Sequence, residues 1–332
     1  MSGTWQRFSS WSTEIPRAPL DDDTREAREL PKTLRPVPGN DVVQRPVFDP
    51  ALKQYPNAYR ASDPSFPDPA REKAWRTARR LALDLVMAAV SDSPWAESLV
   101  LRGSMLMSAW FGEAAREPGD LDFVVVPHTW RKEDPRTGRM FEEIAVAAEV
   151  LATERGTRVT FSSGDAVVED IWTYERVPGR RMVLPWSAPG LPGGHVQLDF
   201  VFNERLPEPP ELVELPGGAI VLAATARLSL AWKLMWIIND TYAQGKDLYD
   251  ATLLAERHPL PFALLHEVFR LSGEWPASNR EHVVWSDLVQ GVRHVEWHHF
   301  IKDYPQFEDD EREFAERLLR AVAPAFEGTR EE

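Results

Sequence analysis

Between Thr157 and Phe202 the chain carries four β-prone runs, TRVTF, AVVEDIWTY, RRMVLPW and HVQLDFVF, punctuated by Gly and Pro, and beyond Leu222 it reads as helix to its end. Short apolar or alternating runs bounded by turn residues specify strands, whereas apolar residues at three- and four-residue steps specify helices. Strands followed by helices imply an α+β protein, a mixed sheet with flanking helices and then a helical domain. Upstream, Trp75, Ala78, Leu81, Leu85 and Ala89 predict a helix from about Arg71 to the break at Ser91-Asp92-Ser93-Pro94. A short strand through Leu99, Val100 and Leu101 follows, then a helix from about Met105 to Phe111 and another over Phe141 to Glu154. The expected organisation is a Pro-rich extension over 1–70, a sheet-containing domain over 71–215 and a helical domain over 216–332.

The extension, with PRAPLDDD, LRPVPGND and SFPDP, shows little periodicity and is expected to be an extended or partly ordered arm. Its Trp5, Trp11, Phe48 and Tyr55 are candidates to pack on the main body. The absence of Cys excludes a disulfide framework and Cys-ligated zinc, and fits a reducing cytoplasm. The N-terminal sequence has no signal-peptide pattern and no apolar stretch long enough for a bilayer, so no membrane association is expected. Acidic residues outnumber basic ones 52 to 38, a net charge of -14 that opposes generic attraction to nucleic acid. A local basic cleft built from Arg102, Arg116, Lys132, Arg136, Arg139 and Lys233 would override that balance. The segment Arg131 to Arg139 is expected to be a solvated mixed-charge loop.

The stretch GDLDFVVV, Gly119 to Val126, places two acids at the mouth of an apolar run. In a strand Asp120 and Asp122 share one face while Leu121 and Phe123 point the other way. Two anions so close call for a counter-charge or for protonation of one of them, unless the strand end is simply solvated. Mg²⁺ suits such oxygen ligands and shares its remaining positions with water and phosphate. In HVQLDFVF, Val196, Leu198, Phe200 and Phe202 share a face and Gln197 and Asp199 take the other. Asp199 is either an ordinary polar-face residue or, if its strand neighbours the first, a third carboxylate of a two-metal site.

Gly103-Ser104, between a strand and a helix, offers a seat for phosphate: glycine permits close approach, Ser104 is expected to cap the helix, and the helix start presents N–H groups. Lys233 lies in the nearly all-apolar helix LSLAWKLMWIIN, where it either snorkels or meets an anion. In KDLYD, Asp247 suits a helix start, whereas Asp250 one turn on is a candidate partner for Lys233. Trp232 and Trp236 read as core residues by their spacing. A metal-dependent hydrolase using His294, His298 and His299 is a competing reading, since the first two are four residues apart; Glu296 does not stand where H-E-x-x-H needs its acid.

The order Gly103-Ser104, D-L-D-F, a strand-borne Asp199, L-A-W-K-L and K-D-L-Y-D resembles the AbiEii/AbiGii-type nucleotidyltransferase toxins of the DNA polymerase β-like nucleotidyltransferase superfamily. The family's Gly-Ser and the Arg four residues before its D-x-D fall on Gly103, Ser104 and Arg116, and its Lys and closing motif on Lys233, Lys246, Asp247, Tyr249 and Asp250. Met105-Leu106-Met107 replaces the usual continuation, and Lys246 stands where Arg is frequent. The resemblance implies a nucleotidyltransferase-type fold and an EC 2.7.7-type reaction that moves a nucleoside monophosphate from a nucleoside triphosphate to an acceptor hydroxyl, on a tRNA end or a protein. It implies Mg²⁺, two ions, on Asp120, Asp122 and Asp199, the last as ligand or base, with Lys233 also in the catalytic set. Gly103, Ser104, Arg116, Lys233 and Asp250 would bind the nucleotide, Asp250 orienting Lys233 or touching the nucleotide itself. It further implies a cognate antitoxin and a role in a bacterial toxin-antitoxin or phage-defence pair. The rival from another class is a catalytically silent nucleotide-binding regulatory scaffold on the same fold.

Overall fold

Local sequence sets most element ends. The computed structural model describes residues 15–16, 20–56, 58–173, 177–278 and 281–327. Asp21 caps helix α1, Asp22–Ala27, by accepting from Thr24 N, and the arm continues into the antiparallel pair β1, Pro46–Phe48, and β2, Tyr59–Ala61. Helix α2, Pro69–Ser91, starts on an Asp68 cap with proline in its first turn and stops at Asp92. Then come β3, Leu99–Arg102, α3, Ser104–Phe111, and β4, Leu121–Val125. Helix α4 spans Pro135–Glu154. The remaining strands are β5, Thr160–Phe161, β6, Val167–Thr173, β7, Val177–Ser187, β8, Gly194–Val201, β9, Glu211–Glu214, and β10, Ile220–Ala223. The helices α5, Ala226–Asn239, α6, Gly245–Arg257, α7, Phe262–Ser272, α8, Trp285–Arg293, α9, Trp297–Phe300, and α10, Glu311–Val322, complete the chain. The α+β architecture is as the sequence implied.

Three local expectations change. Residues 135–139 open α4 rather than forming a surface loop: Pro135 suits the first helical position, and Thr137 is buried, accepting from Trp130 Nε1 at 2.8 Å. The strand expected over TRVTF shrinks to Thr160–Phe161. Strands β9 and β10, which precede the helical region, leave no sign in the sequence, since four residues each are too few for a periodic signal.

The chain forms two compact units. The first comprises 1–101, 118–203 and 214–221. The sheet is mixed and has eight strands, ordered β5-β7-β8-β4-β3-β10-β9 with β6 on β7. Strands β4 and β8 are parallel, and β7 is antiparallel to both β6 and β8. Phe123 and Phe200 stack at 5.4 Å on one face, where Phe141 of α4 meets Phe200 at 4.9 Å. By strand alternation, Asp122 and Asp199 are left on the opposite face.

The arm belongs to this unit and is tied to it at several points. Leu52, Ala58 and Ile171 form a buried cluster with Phe48, Ala51 and Tyr55 against it. Thr33 donates to the buried Glu169 of β6 through its backbone N–H, at 2.8 Å, and through its hydroxyl. The expected packing of Phe48 and Tyr55 is therefore seen, while Trp5 and Trp11 lie outside the described residues.

The second unit comprises 102–117, 204–213 and 222–332. Helix α5 is buried nearly all round, Trp232 and Trp236 included, which accounts for its lack of a polar face. Tyr249 of α6 sits among Phe300, Phe307 and Phe314.

Candidate active site

The parallel pairing of β4 with β8 sets Asp122 directly opposite Asp199. Carboxylate oxygens of Asp120, Asp122 and Asp199 lie within 4.8 Å of one another. The turn ahead of Asp120 is held by Arg79 of α2, whose guanidinium donates to Pro118 O at 2.7 Å and Gly119 O at 2.6 Å. Asp199 is buried, not half-exposed. Arg181 of β7, its cross-strand partner on the other side, donates to both of its oxygens at 2.8 Å. Burial pushes the Asp199 carboxyl above its ordinary range; Arg181 opposes that rise, and Asp120 and Asp49 add to it.

Oxygens that share one divalent ion at about 2.0–2.6 Å are at most about 4–5 Å apart, so this donor set fits a hard cation such as Mg²⁺. Three carboxylates are also the chemistry such an ion selects. Among the described residues this is the group of acidic and histidine side chains whose ligand atoms converge in this way. The histidines of the competing hydrolase reading do not converge: His294 ends α8, whereas His298 and His299 belong to the separate helix α9, so the assumed single helical face does not exist.

A second charged cluster lies in the second unit. Lys233 of α5 is buried and bonds Asp247 at 3.0 Å and Asp250 at 2.9 Å, both on α6. Arg116 grips Asp250 through Nε, at 3.1 and 3.2 Å to its two oxygens, and through its terminal amine at 3.0 Å. The anion for Lys233 and the orienting acid Asp250 are thus found, and Asp247 is a further partner. Burial disfavours the charge on Lys233, but Asp250 and Asp247 outweigh it and hold the ammonium above its usual range. Burial likewise opposes ionisation of Asp250, and Arg116 and Lys233 overcome it, so its carboxyl lies below the ordinary range. Two cations and two anions balance, so Lys233 and Arg116 are not bare positive charges.

Gly103, with φ of 83°, is the N-cap of α3 and needs a residue without a side chain. Ser104 is the first helical residue and is buried, which corrects the expectation that it caps the helix. The anticipated basic cleft is also revised. Arg102 is buried against Glu204 at 2.9 Å and lies over the Trp232 ring, 5.2 Å from its centre. Arg136 pairs with Asp134 and stacks on Trp130, and Lys132 pairs with Asp170. Arg181 and Asp49 carried no mark in the sequence; the available signal was an arginine inside the apolar run RRMVLPW, which on a central strand must find an anion.

With the acids aligned on adjoining strands and the buried lysine cluster in place, comparison with known families becomes informative. Residues 85–329 match the family model described as nucleotidyl transferase AbiEii toxin, type IV TA system. The chain belongs to the AbiEii family. It is thus a nucleotidyl transferase toxin of a type IV toxin–antitoxin system, and membership implies a nucleotide substrate and an antitoxin partner. No curated protein gives a significant match to the chain. Among the described residues, no AbiEii helix is long and apolar enough to cross a membrane.

Proposed function

We propose that the protein transfers a nucleoside monophosphate from a nucleoside triphosphate to an acceptor hydroxyl, on a tRNA end or a protein, in a Mg²⁺-dependent EC 2.7.7-type reaction. The observation that carries this reading is the convergence of Asp120, Asp122 and Asp199 on neighbouring strand ends. In the reaction the acceptor hydroxyl gives its proton to a base, Asp199 or water, its oxygen bonds to the α-phosphorus, the bond from that phosphorus to the bridging oxygen breaks, and pyrophosphate leaves with the electron pair. Metal bound at the three acids, two ions in our reading, supplies charge stabilisation for the triphosphate. The residues of the chain divide the remaining work. Gly103 and Ser104 begin a helix, and a helix start is the backbone setting that suits phosphate oxygens. Lys233 and Arg116 are assigned to nucleotide binding as members of a charge-balanced cluster, with Asp250 fixing both of them. The cytoplasm, where nucleoside triphosphates and acceptors coexist, is the proposed compartment, and phage defence the proposed role of the toxin–antitoxin pair.

The test is incubation of purified protein with Mg²⁺ and each α-³²P-labelled nucleoside triphosphate, using total tRNA or cell lysate as acceptor, beside an Asp120→Ala/Asp122→Ala variant. Label in RNA or protein with the wild type alone supports the transferase and identifies its acceptor class. Nucleotide binding with no transfer under any condition would favour a silent scaffold.

A further inference from the structure

Four charged residues of the first unit stand in cross-strand register. Glu169 of β6 is the cross-strand partner of Arg181 of β7, Arg181 of Asp199 of β8, and Asp199 of Asp122 of β4. Side chains directly opposite one another share a face, so these four stand in one row across the sheet. Asp49 of the arm joins the row from above. Its Oδ2 accepts from Arg181 Nη1 at 2.6 Å, and its Oδ1 accepts from Ala51 N at 3.1 Å. Asp49, Arg181 and Asp199 are all buried.

We propose that Asp49 is a positioning residue for the acidic centre, acting through Arg181 to keep Asp199 available to a divalent cation. This rests on the metal reading of the site. Arg181 spends two donors on Asp199, which fixes the carboxylate and withdraws its charge. Alone, the two would be a neutral pair and a weak ligand for a cation. Asp49 supplies a second anion to the same guanidinium, so Asp49, Arg181 and Asp199 together carry one net negative charge. A carboxylate has lone pairs beyond the two that Arg181 engages, so the bidentate grip leaves room for a metal.

The arm is built to deliver that acid. Asp49 caps the short helical turn Pro50–Leu52, which fixes one oxygen and aims the other. On one side of it Thr33 and Lys32 donate backbone N–H groups to Glu169, and on the other Gln54 donates to Asp170 O at 2.7 Å. The arm lies outside the residues matched by the AbiEii model, 85–329. It therefore adds a contact to the centre that family membership does not supply.

The experiment is calorimetric titration of the full chain with Mn²⁺, without nucleotide. Asp49→Asn is expected to weaken Mn²⁺ binding by about five- to tenfold, the scale of one missing unit charge at close range in a partly screened site. Asp49→Glu, which keeps the carboxylate, should recover part of the loss, and Asp170→Asn, an exposed acid on the same strand as Glu169, should change affinity by less than about twofold. Because Asp49→Asn also removes a buried partner, the double variant Asp49→Asn/Arg181→Gln decides between charge and general loosening. It should bind Mn²⁺ more tightly than Asp49→Asn, whereas loosening would make it weaker still. Wild-type affinity in Asp49→Asn, or weaker binding by the double variant than by the single, overturns the proposal. If the wild type itself shows no Mn²⁺ binding that Asp122→Asn abolishes, the metal reading of the site fails and takes this inference with it.

Discussion

Asp122 and Asp199 face each other across the parallel strands β4 and β8, a pair of like charges in register. Like charges directly opposite destabilise a sheet by about 0.2–1 kcal/mol. Asp122→Asn is accordingly expected to raise unfolding free energy in EDTA by up to about 1 kcal/mol while lowering nucleotidyl transfer by at least about 10²–10³-fold. Denaturant unfolding alongside the label-transfer assay checks both; lower stability in the variant would mean the two acids do not repel.

Lys233 is the shared cation of Asp247 and Asp250. Lys233→Met leaves Asp250 with Arg116 but takes a buried cation from Asp247, and should cost about 3–5 kcal/mol, the usual penalty for breaking a buried ion pair from one side. Adding Asp247→Asn should restore part of it. Urea titrations of the single and double variants make the comparison, and an equal loss in both would show that Asp247 is indifferent to Lys233.

Burial pushes the His195 imidazole down to about 4, and the positive charge of Arg35 adds to the effect. The folded value lies below the unfolded value of about 6.5, so the unfolded chain binds the extra proton and stability falls as pH drops from about 6.5 to about 4. The contribution is at most about 3 kcal/mol, and none of it is lost above that window. His195→Gln should flatten this part of the stability-against-pH curve measured by urea unfolding; an unchanged slope would assign it to other groups.

Gly291 of α8 lies against the backbone of α5: a Cβ there would stand 2.5 Å from Ile237 O. Gly291→Ala must push the two helices apart, and overpacking of this kind costs about 1–3 kcal/mol. Guanidinium unfolding would detect it, and a variant as stable as wild type would mean that α8 moves freely.

What the sequence made visible was what depends on local pattern. Alternation in HVQLDFVF set Asp199 apart from the apolar face, and the all-apolar helix around Lys233 demanded an anion, which Asp250 supplies. What it hid depends on partners distant in the chain. Asp49 sits 132 residues from Arg181, in a segment without periodicity, so nothing near it could announce the contact. The charge of residues 131–139 masks the opening of α4, whereas Pro135 after Asp134 is a helix start. A glycine cap leaves no side-chain signature, so the sequence points to Ser104 for the cap that Gly103 holds.

The second unit takes its residues from three separated stretches, 102–117, 204–213 and 222–332. Arg116 leaves the ribosome 134 residues ahead of Asp250. Phe314, which closes on Tyr249 beside Asp250, is made later still. Such a unit closes only after long loops have formed, a slow route for any chain. During translation the Lys233 cluster is therefore assembled late, and a chain interrupted before its final helices leaves that charged core unfinished.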